Sequence, residues 1–174
     1  DELILSRAMA ASRDQKALEA VFEESPAWRS YCELEARRLK ESYFLDEEKW
    51  AEAPLCRTLT VCYDEPLALE LSIGGASIRK MVEQPIPALG GRSFVGCLKD
   101  ALCAAVEVSR SCPPEVVILT GGASRMAFFQ QACREAFADA LVVLCPEPEC
   151  SIARGLAYAG RVDERLKTFR QEVA

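Results

Sequence analysis

The stretch Val117-Ile118-Leu119-Thr120-Gly121-Gly122-Ala123-Ser124-Arg125-Met126 decides how this chain is read. From Glu115 to Thr120 the chain is a nearly unbroken β-branched run, of the kind buried on both faces of a parallel sheet. The run stops at a double glycine, and a helical pattern follows from about Met126 to Phe137. Glycines at such a turn let the backbone bend tightly and approach a ligand with no Cβ in the way. A helix starting there presents unpaired N–H groups and a positive end. Ligands of open α/β sheets sit at the carboxyl ends of strands, where this turn belongs. The same glycines also suit a plain strand-to-helix turn, so the local pattern leaves both readings open. It is not a P-loop, because no Gly-Lys-Ser/Thr follows, and it is not G-x-G-x-x-G.

On either side of this stretch the chain alternates. Arg92 to Ser111 reads as a small-residue-rich helix, Leu141-Val142-Val143-Leu144 as a second buried strand, and Ser151 to the C-terminus as a helix. The order α, β, α, β, α predicts α/β architecture with right-handed crossovers. Upstream the pattern differs. Leu3, Leu5, Met9, Leu18, Val21 and Phe22 give a helical stripe over Asp1 to Glu24, and Ser25-Pro26 opens a second helix to about Phe44. Thr58 to Tyr63 and Leu67 to Ile73 read as strands of a hairpin around Asp64-Glu65-Pro66. A short helix follows from Ser77 to Glu83. The cluster Pro85, Pro87 and Gly90-Gly91 is the expected internal boundary, giving domains 1–90 and 91–174.

Composition narrows the function classes. The 174 residues are 50% hydrophobic and 28% charged, which describes a soluble globular chain of one ordinary domain or two small ones. No apolar stretch approaches the roughly 18 residues of a membrane span. The net charge of −6 argues against a nucleic-acid binder, since a phosphate backbone would be repelled. There are nine Cys and no His. An odd count cannot pair completely, and Cys62, Cys97, Cys103 and Cys145 sit in apolar runs, so the thiols are expected free and mostly buried in a reducing cytoplasm. Zinc would want close Cys pairs, and Cys145 and Cys150 have no second pair to match. Without His, Ser-His-Asp and Cys-His catalysis are excluded. The chain opens Asp1-Glu2-Leu3-Ile4-Leu5 without an initiator Met, which leads us to expect a piece of a longer polypeptide.

The segment Glu115 to Met126 resembles the adenosine-binding turn of the actin, Hsp70 and sugar-kinase superfamily of ATPases. Pro148-Glu149-Cys150-Ser151-Ile152-Ala153-Arg154-Gly155-Leu156-Ala157 is similar to the closing Pro-Asp/Glu-x-x-Val-Ala-x-Gly-Ala-Ala helix of Hsp70 (DnaK-like) chaperones. The upstream order is similar too: a long helix, a hairpin ending in a Ser-Ile strand, then two helices. The likeness is strong from Glu115 to Arg161 and weak before Leu55.

The resemblance implies an α/β fold, a partial ribonuclease-H-like actin-fold ATPase lobe with a smaller helix-plus-hairpin subdomain. It implies a bacterial, cytoplasmic parent that binds ATP or ADP with magnesium between two lobes and acts on client or co-chaperone proteins. This chain would be the second lobe and meet the N-terminal lobe of the same parent. It would carry the adenosine side of the cleft, hold no magnesium and turn over no ATP alone, because the family's phosphate-binding hairpins are not in it. No membrane or nucleic-acid partner is implied.

Carried over residue by residue, Gly121 and Gly122 would bring backbone against the nucleoside, and Arg125 would lay its guanidinium over the adenine. Glu149 falls where the family has an acid near the nucleoside. The family's Ser after the double glycine is replaced by Ala123, with Ser124 one place late. On the long helix one register selects Lys40, leaving Glu41 at the stacking position, and another puts Arg38 there. An actin- or MreB-like filament lobe and a nucleotide-free interaction module are the alternatives.

Overall fold

The computed structural model describes residues 1–62 and 64–162. Tyr63, expected to end a strand, and residues 163–174, expected to continue the closing helix, lie outside the described residues. The fold is mixed α/β, in two compact units divided between Gly96 and Cys97.

The first unit is a helical layer on one face of a hairpin. The first helical stripe is two helices rather than one, α1 (Glu2–Ala11) and α2 (Gln15–Glu24). Ser12 is the reason. It takes an extended backbone at φ −73° and ψ 141°, and its hydroxyl accepts from the Asp14 N–H at 3.2 Å, a local bond that competes with the helix ladder. After Ser25, α3 runs Pro26–Leu45 with proline in its first turn, where the missing N–H costs nothing. Its buried face carries Cys32, Glu35, Ala36, Leu39, Tyr43 and Phe44, while Tyr31 and Leu34 are exposed.

The hairpin pairs β1 (Leu55–Val61) with β2 (Leu67–Ile73), Leu55 opposite Ile73 and Val61 opposite Leu67. Its inner face buries Leu59, Val61, Leu69, Leu71 and Ile73 against α1 and α3, and α2 packs on those two helices. Its outer face shows Thr58, Thr60, Glu70 and Ser72, the alternation of a half-solvated antiparallel pair. β1 begins at Leu55, three residues before the sequence pattern suggested. Arg57 hides the start, because it points inward to the buried Glu35 carboxylate of α3. Glu35 also accepts from Arg38, so the acid ties α3 to β1 with both oxygens engaged. Then come α4 (Gly75–Glu83) and the short ladder β3 (Pro85–Ile86) with β4 (Arg92–Ser93).

The division falls inside α5 (Phe94–Ser109). The second unit pairs β5 (Val116–Leu119) in parallel with β6 (Leu141–Leu144), joined through α6 (Ala127–Ala136), and ends in α7, described as Ser151–Val162. The hairpin and the parallel pair belong to separate sheets. The expectation that β5 and β6 are buried on both faces is corrected. Leu119 is buried, whereas Val116, Ile118, Leu141 and Val143 face outward and are exposed. In a parallel pair, residues in register share a face, so these four form one uncovered patch.

The thiols need a correction as well. All nine are free, but only Cys32 and Cys133 are buried. Cys62, Cys97 and Cys145 are half-buried, and Cys56, Cys103, Cys112 and Cys150 are exposed. Cys103 is exposed although it sits in an apolar run, because α5 has no fully buried residue.

Candidate functional site

The turn after β5 is built from its glycines outward. Gly121 has φ +80° and ψ 152°, a conformation essentially restricted to glycine, and a Cβ there would meet nothing within 4 Å. The requirement for glycine is therefore conformational. Gly122 lacks a positive φ, and a Cβ added to it would also stand in open space, so of the two glycines Gly121 alone is required by the backbone.

The residues after Gly121 do not enter an α-helix directly. Gly122–Arg125 form a 3-10 turn, and α6 starts only after Met126. α6 thus starts within a residue of the position the sequence pattern predicts, and the 3-10 turn lies between it and the glycines. Ser124 closes the turn: its hydroxyl donates to the Gly121 carbonyl at 2.7 Å and its N–H donates to the same oxygen at 3.0 Å. It is fully buried and turned away from solvent, while Gly122 and Ala123 are exposed.

A second turn, Pro148–Cys150 after β6, meets the first. The Gly121 N–H donates to the Pro148 carbonyl at 2.6 Å, and the Cys145 N–H donates to the Leu119 carbonyl at 3.2 Å. Across this seam Arg125 and Glu149 form a fork, Nε to Oε2 at 3.1 Å and Nη2 to Oε1 at 2.9 Å. The hydrogen bonds from Arg125 hold the Glu149 carboxyl below its ordinary range, helped by a backbone hydrogen bond of Glu149. In return, the Glu149 hydrogen bond raises the already high Arg125 value, so the guanidinium stays charged at any working pH. A bidentate pair uses one edge of the guanidinium plane and leaves its faces for stacking. The Arg125 carbonyl accepts from Gln130 Nε2 at 3.2 Å, which ties the turn to α6.

The residues named on the long helix have other partners. Lys40 donates to Asp1 Oδ1 at 2.6 Å, beside an Arg37 bond to Oδ2 at 2.9 Å, and burial lowers its pKa. Arg38 is committed to Glu35. Gly121, Gly122, Ala123, Arg125 and Glu149 come together at the ends of β5 and β6. Lys40 and Arg38 belong to the first unit, each held by its own acid there. The Arg125–Glu149 pairing was missed in the sequence, although an arginine and an acid each one turn beyond adjacent parallel strands are the signal that could have found it.

A groove of about 830 Å³ lies in the first unit over the outer face of the hairpin, lined by none of these residues. It combines Arg7, Arg13 and Lys80 with Asp14, Glu52 and Glu70, a balance that favours neither sign of ligand. Among the described residues no cluster of three or more Cys, Asp or Glu is placed to hold a metal ion, and no helix is long and apolar enough to cross a membrane. No protein-family model, curated protein or solved structure matches the chain.

Proposed function

We propose that this chain is the adenosine-binding part of an actin-like ATPase lobe, most similar to that of Hsp70 chaperones, in a cytoplasmic protein that binds ATP or ADP between two lobes. The observation that carries the reading is the paired turn at the carboxyl ends of β5 and β6. There Gly122 and Ala123 are exposed with no bulky side chain, next to a guanidinium whose edge is fixed by Glu149. A flat, sequence-tolerant stacking surface beside bare backbone suits a purine and ribose. The turn offers no phosphate cradle, so phosphates and magnesium would be held by groups outside this chain, and the chain alone would not hydrolyse ATP. Client and co-chaperone proteins belong to the parent in this reading.

A nucleotide-free interaction module is the second reading. It is favoured by Ser124, whose hydroxyl is engaged inside the turn, and by Ala123 at the position where the family has a hydroxyl. Amide NMR of the chain with millimolar adenosine, and with uridine as control, separates the two. Adenosine-specific shifts at Gly121, Gly122, Ala123 and Arg125 support the first reading. Identical spectra with and without adenosine leave the module.

A further inference from the structure

β1 and β2 form a two-stranded sheet, so alternate N–H and C=O groups of β2 point away from β1. Among the described residues, no strand, turn or side chain bonds to those groups. An open edge of this kind is a template for another strand, and proteins blunt it with proline, lysine, a bulge or an inward-pointing charge. β1 carries such a device in Arg57, which points inward to Glu35. β2 carries none: Leu67-Ala68-Leu69-Glu70-Leu71-Ser72-Ile73 keeps its register throughout and has neither proline nor lysine.

The groove of about 830 Å³ follows this edge. Ala68, Glu70 and Ser72 of β2 line it, against Thr58 alone of β1, and Ala8 and Ala11 of α1 line it too. α1 packs on the inner side of β2, whereas Ala68, Glu70 and Ser72 stand on the outer side. A groove that touches both runs round the edge of the strand, and the short side chains of Ala8, Ala11 and Ala68 keep it open there.

Charge is a second, separate observation. Arg7, Arg13, Lys80, Asp14, Glu52 and Glu70 share the groove, and none of the six has an ion-pair partner among the described residues. Elsewhere Arg29, Arg37, Arg38, Arg110, Arg125 and Arg154 are all paired with acids. Three cations and three acids left unpaired in one groove suit a partner that carries both signs.

We propose that this groove binds an extended segment of a partner protein, which adds to β2 as a third strand. The segment's backbone takes the open N–H and C=O groups, and the seven residues of β2 set its length at about seven. Its side chains alternate between the two faces. Those on the outer face lie beside Glu70 and include Lys or Arg, and those on the inner face lie over Ala8 and Ala11 and are small and apolar. Arg7 donates to the Ser77 carbonyl at 3.4 Å, and Lys80 lies one turn beyond Ser77 on α4. Both cations therefore stand where β2 passes into α4, and the segment places an acidic residue at that end. A small zwitterion would answer the charges but not the row of main-chain groups. This docking does not depend on nucleotide binding, because the groove belongs to the first unit and the glycine turn to the second.

The test presents the 174-residue chain to a phage library of random seven-residue peptides, and carries the most enriched sequence forward as a synthetic peptide with blocked ends. Fluorescence anisotropy then measures its affinity for wild type, Ala11→Trp, Glu70→Lys and Glu107→Lys. All three positions are exposed, and thermal melts check that each variant folds. Glu107, on α5, lies outside the groove and is the control. The enriched sequences should alternate small apolar residues with charged ones, a basic residue among them. Ala11→Trp fills the groove and should weaken binding at least about tenfold, and Glu70→Lys should select acidic residues in place of the basic one. Glu107→Lys should bind as wild type does. Bound peptide should also slow hydrogen exchange at every second amide of β2, those turned away from β1. A library that yields no sequence preferring wild type over Ala11→Trp overturns the proposal. A peptide that binds but leaves β2 exchange unchanged overturns it as well, and leaves the groove to a ligand held by side chains alone.

Discussion

Arg125 and Glu149 are joined by two parallel hydrogen bonds across the seam between the turns that follow β5 and β6. The fork fixes the guanidinium plane and leaves 22% of the Arg125 side chain exposed. Arg125→Ala is therefore expected to lower adenine-nucleotide affinity by about 0.5–2 kcal/mol, the worth of a cation–π contact, and to leave the melting temperature almost unchanged. Glu149 is depressed in the folded state, so its share of the fork is present at neutral pH and disappears as pH falls through that lowered value. Adenosine binding should weaken over the same acid interval, and Glu149→Gln should remove the dependence. Titration calorimetry from neutral pH into that interval measures both.

The two glycines of the turn should separate stability from binding. Gly121→Ala forces a side chain onto a backbone at φ +80° and should cost about 1–3 kcal/mol in denaturant melts. Gly122→Val meets open space without a positive φ, so its melt should move by no more than about 0.5 kcal/mol. Its methyl groups would instead stand where the nucleoside approaches, and the adenosine-induced shifts should vanish. If Gly122→Val binds adenosine as wild type does, the turn has no ligand on that side.

Glu35 supplies a pH dependence in the first unit. Burial alone pushes its carboxyl up, but the hydrogen bonds from Arg57 and Arg38, with their charges, outweigh this and hold it below its ordinary 4.5. A depressed acid stabilises the fold above its unfolded value and loses that contribution as pH falls through the folded one. Wild type should therefore lose stability as pH drops from about 4.5. Glu35→Gln should be about 1–3 kcal/mol weaker at neutral pH and less sensitive to acid. Equal acid sensitivity in the two proteins would deny Glu35 this role.

Thiol reactivity should follow exposure. Burial, with Glu35 and Glu33 nearby, pushes Cys32 up to about 11, and burial raises Cys133 too. At about pH 8 an aromatic disulfide reagent should modify Cys56, Cys103, Cys112 and Cys150 first, with Cys32 and Cys133 last. Mass mapping of a time course reads the order, and early labelling of Cys32 would contradict the packing of α3.

The alternation of helices and strands was legible because period and punctuation agree there. Val116 to Leu119 ends at glycines, and Leu141 to Leu144 is short and β-branched. What the sequence hid has physical causes. Ser12 breaks a helix by a hydrogen bond no hydrophobic stripe reports. Arg57 belongs to an inward face only because Glu35 neutralises it there. The uncovered side of β5 and β6 escaped because a run of Val, Ile and Leu looks the same whether one face or both are covered. At the turn, the spacing of Gly121, Arg125 and Glu149 was visible, but the assignment of strain to Gly121 and the inward hydroxyl of Ser124 depend on dihedral angles.

The Gly121 N–H to Pro148 carbonyl bond has a mechanical consequence. It sits at the root of α7, which starts at Ser151, and the fork between Arg125 and Glu149 clamps the same joint from the other side. The two turns are thereby welded into one bearing, with α7 as the arm that leaves it. A small tilt of the 3-10 turn at Gly122–Arg125 is transmitted along that arm and grows with distance from the bearing.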